Sequence, residues 1–190
     1  MIRSFIAFDL ENEEIARNIS IFLQKILKHQ PKLKIVKVEN IHLTIKFLGN
    51  INESVAPKIY NILENKINKR YFSDEPLIFK LKKVGNFRKY SIIWISIDGY
   101  IDIIQEIKDI IEDELFQKLN IKKDERMDFN PHLTIARLNK KKIDYNTFNL
   151  FKNEIKNHKD KEFGKFYLQK IKLKKSILTP KGPIYSDMVF

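Results

Sequence analysis

The sequence predicts an α+β fold built from two similar halves, and three observations favour it. The tetrapeptide His-Leu-Thr-Ile occurs twice, at residues 42–45 and 132–135, so that each half of the 190-residue chain carries one copy. Segments with helical spacing of apolar residues alternate with short apolar segments that are typical of strands. Connections are short, and no linker rich in glycine, serine or proline separates the halves. We therefore expect mostly antiparallel pairing within a single bilobal domain over residues 1–190.

The first half opens with a strand, followed by a helix that its apolar stripe defines. Residues 2–8 are mostly apolar, as in a buried strand, and the side chain of Asn12 can then cap a helix. Apolar residues follow at spacings of three and four until Pro31 ends the helix. The other predicted elements of this half are a strand over 35–38, the first motif strand over 41–48, a helix around 55–63, and paired strands over 77–87 and 92–97.

The second half loosely repeats this order. An apolar stripe predicts a helix around residues 104–115, and Pro131 biases the residue before it towards extended backbone, which suits the entry to a strand. Alternation over residues 163–178 predicts one long strand. The other predicted elements are the second motif strand over 132–138, a basic turn at 140–142, a helix around 148–155, a turn at 179–182 and a final strand over 185–190.

The composition favours a polyanionic partner and excludes several classes of protein. Lysine and arginine number 36 against 24 acidic residues, and the net charge of +12 favours RNA or DNA, although a lysine-rich solvated surface would give the same charge. The chain has no cysteine, which excludes disulfides and cysteine-based zinc sites and fits a cytoplasmic location. No apolar run approaches the roughly 20 residues that span a membrane. No glycine-rich motif for ATP or dinucleotides is present.

The repeated motif predicts acid–base chemistry on a phosphate. In a strand, a histidine and the threonine two residues later point to the same face. If the two lobes face each other, His42, Thr44, His132 and Thr134 converge on one cleft. Histidine suits proton transfer near neutral pH, and the threonine hydroxyls could donate to phosphate oxygens. The alternative is that both motifs only decorate an exposed strand face. His-x-Thr is not a usual zinc pattern, so we expect neither metal nor cofactor.

Three further residues are candidate substrate contacts. Lys46 extends the first polar face, because residues 42, 44 and 46 of a regular strand share a side. Arg137 would then alternate to the opposite face, which favours a structural role over a phosphate contact. Tyr185 could stack on a terminal base, as could Trp94, for which packing in the core is the better interpretation.

At these residues the chain resembles the 2H phosphoesterases, which are named for two His-x-Thr motifs. More narrowly, it is similar to the RNA 2′,3′-cyclic phosphodiesterases, also called 2′-5′ RNA ligases. The resemblance covers nearly the whole chain. The segments that carry it are residues 3–10, 40–49, 84–87, 93–94, 129–137 and 176–185. Family members often have tryptophan on the strand before the first motif, where this chain has Ile35 and Val36, so contacts to the nucleobase are expected to differ.

The resemblance implies a fold and a reaction. The fold would have two pseudo-symmetric antiparallel sheets, with helices packed outside and a central cleft. The reaction would open an RNA 2′,3′-cyclic phosphate to a 2′-phosphate, with His42 giving a proton to the departing 3′ oxygen and His132 taking one from water. Thr44 and Thr134 would hold the phosphate. A 5′-hydroxyl in place of water would give a 2′-5′ linkage without ATP.

Two alternatives stay open. The chain could be a non-catalytic protein that binds RNA ends, or a 2H phosphoesterase that acts on another cyclic or 2′-5′ phosphodiester. The expected partner is RNA with a 2′,3′-cyclic phosphate end, such as a tRNA fragment, and the expected state is a monomer without membrane association.

Overall fold

A computed structural model of the chain describes residues 1–73, 75–125, 129–180 and 182–190, and the α+β class is confirmed. The strands are β1 (Ile2–Asp9), β2 (Lys34–Ile35), β3 (His42–Ile51), β4 (Leu77–Phe87), β5 (Ile92–Asp98), β6 (His132–Arg137), β7 (Glu162–Leu168), β8 (Lys172–Thr179) and β9 (Gly182–Asp187). The helices are α1 (Glu13–Leu27), α2 (Ala56–Ile62), α3 (Lys69–Tyr71), α4 (Ile101–Leu119) and α5 (Phe148–Asn157), and a π-helical segment, Leu63–Asn68, joins α2 to α3. Short 3₁₀ turns lie at Val38–Asn40, Glu53–Val55 and Lys140–Lys142.

The described strands form one antiparallel sheet in the order β7-β4-β5-β6-β3-β1-β8-β9, and β2 pairs with the edge of β6. We call β1, β3, β8 and β9 the first lobe, and β2, β4, β5, β6 and β7 the second lobe. The lobes meet where β3 and β6 pair, and the register there consists of Leu43 opposite Leu133. The two sheets implied by the resemblance are therefore two halves of one sheet, joined at a narrow contact beside which a cleft can open.

The prediction of one long strand over residues 163–178 is wrong. The segment forms β7, which pairs with β4 in the second lobe, and β8, which pairs with β1 in the first. Between them, the side-chain amide of Asn68 donates to the carbonyl of Ile171 at 3.1 Å and accepts from its N–H at 2.9 Å. An unbroken alternation of apolar and polar residues does not show where the chain crosses from one lobe to the other, because the strands with which each part pairs lie elsewhere in the sequence.

Two smaller boundaries differ from the sequence predictions. The strand expected over 35–38 is only two residues long, because a 3₁₀ turn begins at Val38. The last strand spans Gly182–Asp187 and so begins and ends earlier than expected. The turn predicted at 179–182 includes Lys181, which lies outside the described residues.

The helices cover the apolar side of the sheet. Asn12 caps α1 as predicted, with its side-chain oxygen 3.0 Å from the N–H of Ile15. Helices α1 and α5 pack against strands of the second lobe, whereas α2 packs against β8 and α4. Leu43 and Leu133 are fully buried on this side, which leaves His42 and His132 on the other. None of the described helices has both the length and the apolar character needed to cross a membrane.

Candidate active site

A cavity of about 800 Å³ opens on the polar side of the sheet where the two lobes meet, and all four motif side chains line it. His42 and Thr44 come from β3, and His132 and Thr134 come from β6. Because the strands are antiparallel with Leu43 opposite Leu133, the register places His42 beside Thr134 and Thr44 beside His132. Each histidine is therefore next to the threonine of the other lobe, and the histidines lie diagonally across the junction.

Both motif strands have a β-bulge at the last residue of the motif. On β3, Thr44 pairs with Ala7 and Lys46 pairs with Ile6, so Ile45 is the extra residue. On β6, Thr134 pairs with Trp94 and Ala136 pairs with Ile93, so the extra residue is the equivalent isoleucine, Ile135. A bulge changes the side to which the following residues point. In each strand the two residues after threonine are both buried, and the third faces the cavity.

The bulges make two sequence predictions wrong. Lys46 does not share the face of His42 and Thr44: its side chain is 2% exposed and points into the interior. Arg137 does not point away from the motif: it is exposed and lines the cavity. Phe47 takes the equivalent place after the first motif. Both predictions assumed that side chains alternate regularly between the two faces of a strand. The extra residue in each bulge breaks that alternation, so the predicted face was wrong in both strands.

Lys46 belongs to a cluster of four charges, three of them buried, which we call the lysine–carboxylate cluster: Lys46, Lys108, Glu112 and the partly exposed Asp124. The Lys46 amine lies 2.6 Å from Glu112, 3.4 Å from Asp124 and 3.0 Å from the carbonyl of Lys122. The Lys108 amine lies 2.7 Å from Glu112 and 2.8 Å from Asp124. The cluster joins the first motif strand to α4 and to the segment that leads to the second motif, and two of its members, Lys108 and Asp124, also line the cavity.

The two histidines are held in the same way. His42 Nδ1 lies 2.7 Å from the carbonyl oxygen of Asn40, and His132 Nδ1 lies 2.7 Å from the carbonyl oxygen of Asn130. A carbonyl oxygen can only accept, so each Nδ1 carries the proton of this hydrogen bond. In each ring, Nε2 is therefore the atom that takes up or releases a proton.

Asn40 and Asn130 were not predicted to be site residues. Each asparagine precedes its histidine by two residues, so the repeat extends to Asn-x-His-Leu-Thr-Ile. That longer repeat was visible without a structure. It did not identify the contact, because the main-chain carbonyl, and not the asparagine side chain, holds the ring.

Two aromatic rings flank each imidazole. Phe5 and Tyr185 lie 4.8 Å and 5.3 Å from His42, measured between ring centroids, with Tyr185 edge-on at 88°. Phe87 lies 5.0 Å from His132, edge-on at 85°, and Trp94 lies 6.2 Å away. These contacts limit rotation of the imidazoles. Sequence reasoning assigned none of these rings to the support of a histidine.

The environment of His42 disfavours its charged form. Burial lowers the pKa of His42 below its ordinary value of 6.5, which outweighs the opposing effects of the Asn40 carbonyl and of Asp9. The positive charges of Lys174 and Arg137 lower the pKa further. Burial also raises the pKa of Tyr185, which keeps its hydroxyl protonated and able to donate.

Trp94 is only half-buried, so the core packing that the sequence suggested is wrong. Its indole N–H is buried and has no hydrogen-bond partner among the described residues, and its ring covers Gly85 on the neighbouring strand. A Cβ atom on Gly85 would lie 2.2 Å from the indole, so only glycine allows this approach. Trp94 therefore packs beside His132, where both line a second, smaller pocket.

The described part of the cavity wall is strongly basic. Five cationic side chains line it, against the single carboxylate of Asp124: Lys34, Lys37, Arg88, Lys108 and Arg137. Asp124 already accepts from two lysines of the lysine–carboxylate cluster. Within the described ranges, no group of three or more His, Asp or Glu residues is arranged to hold a metal ion.

Comparison with known proteins gives relatives that match almost end to end. A protein of Methanocaldococcus jannaschii named RNA 2′,3′-cyclic phosphodiesterase is 37% identical over 196 aligned residues, which cover 97% of this chain and 96% of the relative. A protein of Aquifex aeolicus with the same name is 30% identical, with 98% and 94% covered. These alignments include both motifs and the strands that carry them.

Solved structures show the same fold at lower identity. TT0787 of Thermus thermophilus has a TM-score of 0.71 and 21% identity, with 98% of this chain and 95% of that chain covered. Escherichia coli LigT complexed with 3′-AMP has a TM-score of 0.66 and 18% identity, with 99% and 95% covered. A family model described as the AKAP7 2′5′ RNA ligase-like domain matches residues 4–186. The chain therefore belongs to the 2′-5′ RNA ligase-like family of the 2H phosphoesterases.

Proposed function

We propose that this protein hydrolyses RNA 2′,3′-cyclic phosphate ends to 2′-phosphates by acid–base catalysis with two histidines and without a metal ion. One observation carries the proposal: one histidine from each lobe lines the same cavity, and the same carbonyl contact leaves Nε2 of each ring to exchange protons. The basic wall of that cavity suits an anionic substrate. The relatives named RNA 2′,3′-cyclic phosphodiesterase support this choice of substrate.

In the proposed reaction, water attacks the phosphorus on the side opposite the 3′ oxygen. His132 takes a proton from the water, the bond between phosphorus and the 3′ oxygen breaks, and His42 gives its proton to that oxygen. The products are a 2′-phosphomonoester and a free 3′-hydroxyl. Thr44 and Thr134 donate to the non-bridging oxygens, on which negative charge increases in the transition state. Two imidazoles on opposite sides of the phosphate are sufficient for both proton transfers.

The same arrangement would also join RNA strands. If the 5′-hydroxyl of a second strand replaced water, His132 would take its proton and a 2′-5′ phosphodiester would form. The bond that breaks and the group that leaves are unchanged, so ATP is not needed. Reversal would require His42 and His132 to exchange their roles as acid and base.

The test is turnover of a short RNA that ends in a 2′,3′-cyclic phosphate, in the presence of EDTA, with identification of the product. We expect a 2′-phosphate at an undiminished rate, and we expect a His29→Ala variant to behave identically, because His29 lies in the turn after α1 and outside the cavity. Formation of a 3′-phosphate would contradict the assignment of the leaving group. Binding of the RNA without turnover would instead support a non-catalytic end-binding protein.

A panel of other substrates tests the second alternative. Faster turnover of a 2′-5′ linked dinucleotide or of a non-RNA cyclic phosphate would keep the mechanism and change the substrate.

Four further properties stay predictions of the sequence: the single domain, the monomeric state, tRNA fragments as substrates and the cytoplasmic location.

A further inference from the structure

Two cationic side chains lie directly opposite each other at the edge of the cavity. Lys34 of β2 pairs with Arg137 of β6, and both are exposed and line the cavity. Like charges directly opposite on neighbouring strands destabilise a sheet. Among the described residues neither has an acidic ion-pair partner, whereas Lys37 nearby has Glu39 at 3.6 Å. A bound anion would relieve the repulsion between the two side chains.

Lys34 also reaches towards the first lobe. Its amine would lie 3.8 Å from a Cβ atom built on Gly182, the first residue of β9. Gly182 itself lines the cavity. The charge of Lys34 is therefore placed between the lobes, where an RNA strand that enters the cleft would pass.

A strained turn brings a third cation to the same cavity. Arg88, Lys89 and Tyr90, between β4 and β5, all have left-handed backbone, with φ of 51°, 54° and 66°. Such a conformation is unfavourable for residues with a Cβ, by about 1–2 kcal/mol each. Contacts hold it in place, because the Asn86 side chain accepts from the N–H of Tyr90 at 3.1 Å and the Tyr90 ring packs edge-on against Phe148. Strained backbone that its surroundings maintain is common at functional sites.

One of the two cationic side chains in this turn reaches the cavity and the other does not. Arg88 lines the cavity, and the adjacent Lys89 does not, although both are exposed. The strained conformation therefore has a consequence for the cleft, since it places one guanidinium at the cavity and leaves the next charge outside it.

One of the three cations, Arg137, lies on the second motif strand itself, just beyond the motif. Arg137 is three residues after Thr134, a separation of at most about 10 Å, and the bulge shortens it. A phosphate held by the motif residues would therefore be followed, along the same RNA strand, by a second phosphate within reach of these side chains.

We propose that Lys34, Arg88 and Arg137 form a second anion subsite, which binds the phosphodiester preceding the reactive cyclic phosphate in the RNA strand. This inference rests on the proposed function and names its substrate more narrowly: the protein prefers an RNA strand to a mononucleotide. Guanidinium groups suit a phosphodiester because they donate two parallel hydrogen bonds to its oxygens.

The test compares a nucleoside 2′,3′-cyclic phosphate with a dinucleotide that ends in the same group and has one additional phosphodiester. For the double variant Lys34→Ala/Arg88→Ala, we expect kcat/KM for the dinucleotide to fall about tenfold more than kcat/KM for the mononucleotide. The dependence of log kcat/KM on log salt should be steeper for the dinucleotide in the wild-type protein, by about 0.7 per phosphate contact, and this difference should be smaller in the variant, which keeps only Arg137 of the three.

The matched control is Lys32→Ala/Lys89→Ala, which removes the same net charge one residue from Arg88 and two residues from Lys34. Both control residues are exposed and outside the cavity lining, so this variant should keep the wild-type preference for the dinucleotide. An equal loss in both double variants would show a general effect of charge and overturn the subsite. A wild-type protein that turns over both substrates equally would also overturn it, whereas turnover of neither would instead overturn the proposed function.

Discussion

The two motif strands are alike around their histidines and different immediately beyond their bulges. Each has asparagine two residues before histidine, a carbonyl contact to Nδ1, a threonine in the cavity and a bulge at the following isoleucine. After the bulge the strands differ. A buried lysine at 46 corresponds to alanine at 136, and a cavity-facing phenylalanine at 47 corresponds to arginine at 137.

This comparison separates the residues proposed for the proton transfers from those that would orient the RNA strand. A cyclic phosphate requires an acid and a base with similar geometry on its two sides, so the repeated part of the strands can be symmetric. An RNA strand is not symmetric, because one side of the reactive phosphate carries the rest of the chain. The differing residues make the cavity asymmetric as well, with Phe47 packed against Phe5 in the first lobe and the Arg137 guanidinium close enough to lower the pKa of His42.

The largest effects are expected from the histidines, and the two should differ in pH dependence. His42→Ala and His132→Ala should each lower kcat/KM by about 10²–10⁴, the usual scale for one acid–base group. Because kcat/KM reports the free enzyme, the wild-type protein should show a bell-shaped profile. Its falling limb follows loss of the proton from His42, whose pKa is below 6.5. The rate should therefore already decline as pH rises through neutrality.

Each variant should lose one limb of that profile. His42→Ala should lose the falling limb, since no acid remains to be deprotonated, and His132→Ala should lose the rising limb. The measurement is kcat/KM for a nucleoside cyclic phosphate from pH 4.5 to 8.5, a range of about two units on each side of an ordinary histidine pKa. The opposite pattern would exchange the roles of acid and base, and full activity in either variant would contradict the mechanism.

Lys46, which follows the bulge in β3, allows a second test, in which the free energy of unfolding is measured. Lys46→Ala should destabilise the fold by about 3–5 kcal/mol, because the buried Glu112 then keeps, among the described residues, Lys108 alone as a cationic partner. Urea unfolding measures the loss. Activity per folded molecule should be unchanged, since Lys46 does not line the cavity.

The control for Lys46 is a lysine at the surface. Lys118 is half exposed and pairs with Glu114 one helical turn away, so Lys118→Ala should change the free energy of unfolding by about 1 kcal/mol or less. If Lys46→Ala kept its stability and lost turnover, the original expectation of a substrate contact would be right and its assignment to the interior wrong.

The sequence predicted most elements and the convergence of the motifs, but not the geometry around them. Amphipathic stripes and the cap at Asn12 identified α1, and the repeat at 42–45 and 132–135 identified the junction of the lobes. The bulges were missed, because nothing in a run such as His-Leu-Thr-Ile-Lys shows an extra residue until its partner strand is known. For the same reason β7 and β8 were predicted as one strand, since the partner strands that separate them lie in different lobes.

The smallest expected effect concerns the edge-on rings, which differ by one hydroxyl between the lobes. Tyr185 lies against His42 as Phe87 lies against His132, at 5.3 Å and 5.0 Å and both nearly perpendicular. If the ring alone positions the imidazole, Tyr185→Phe should leave kcat/KM for a nucleoside cyclic phosphate unchanged. Tyr185→Ala should then lower it by about 2–10-fold, the scale of one aromatic contact. Equal losses in both variants would assign the effect to the hydroxyl, and Tyr185 would then be a substrate contact without a counterpart in the second lobe.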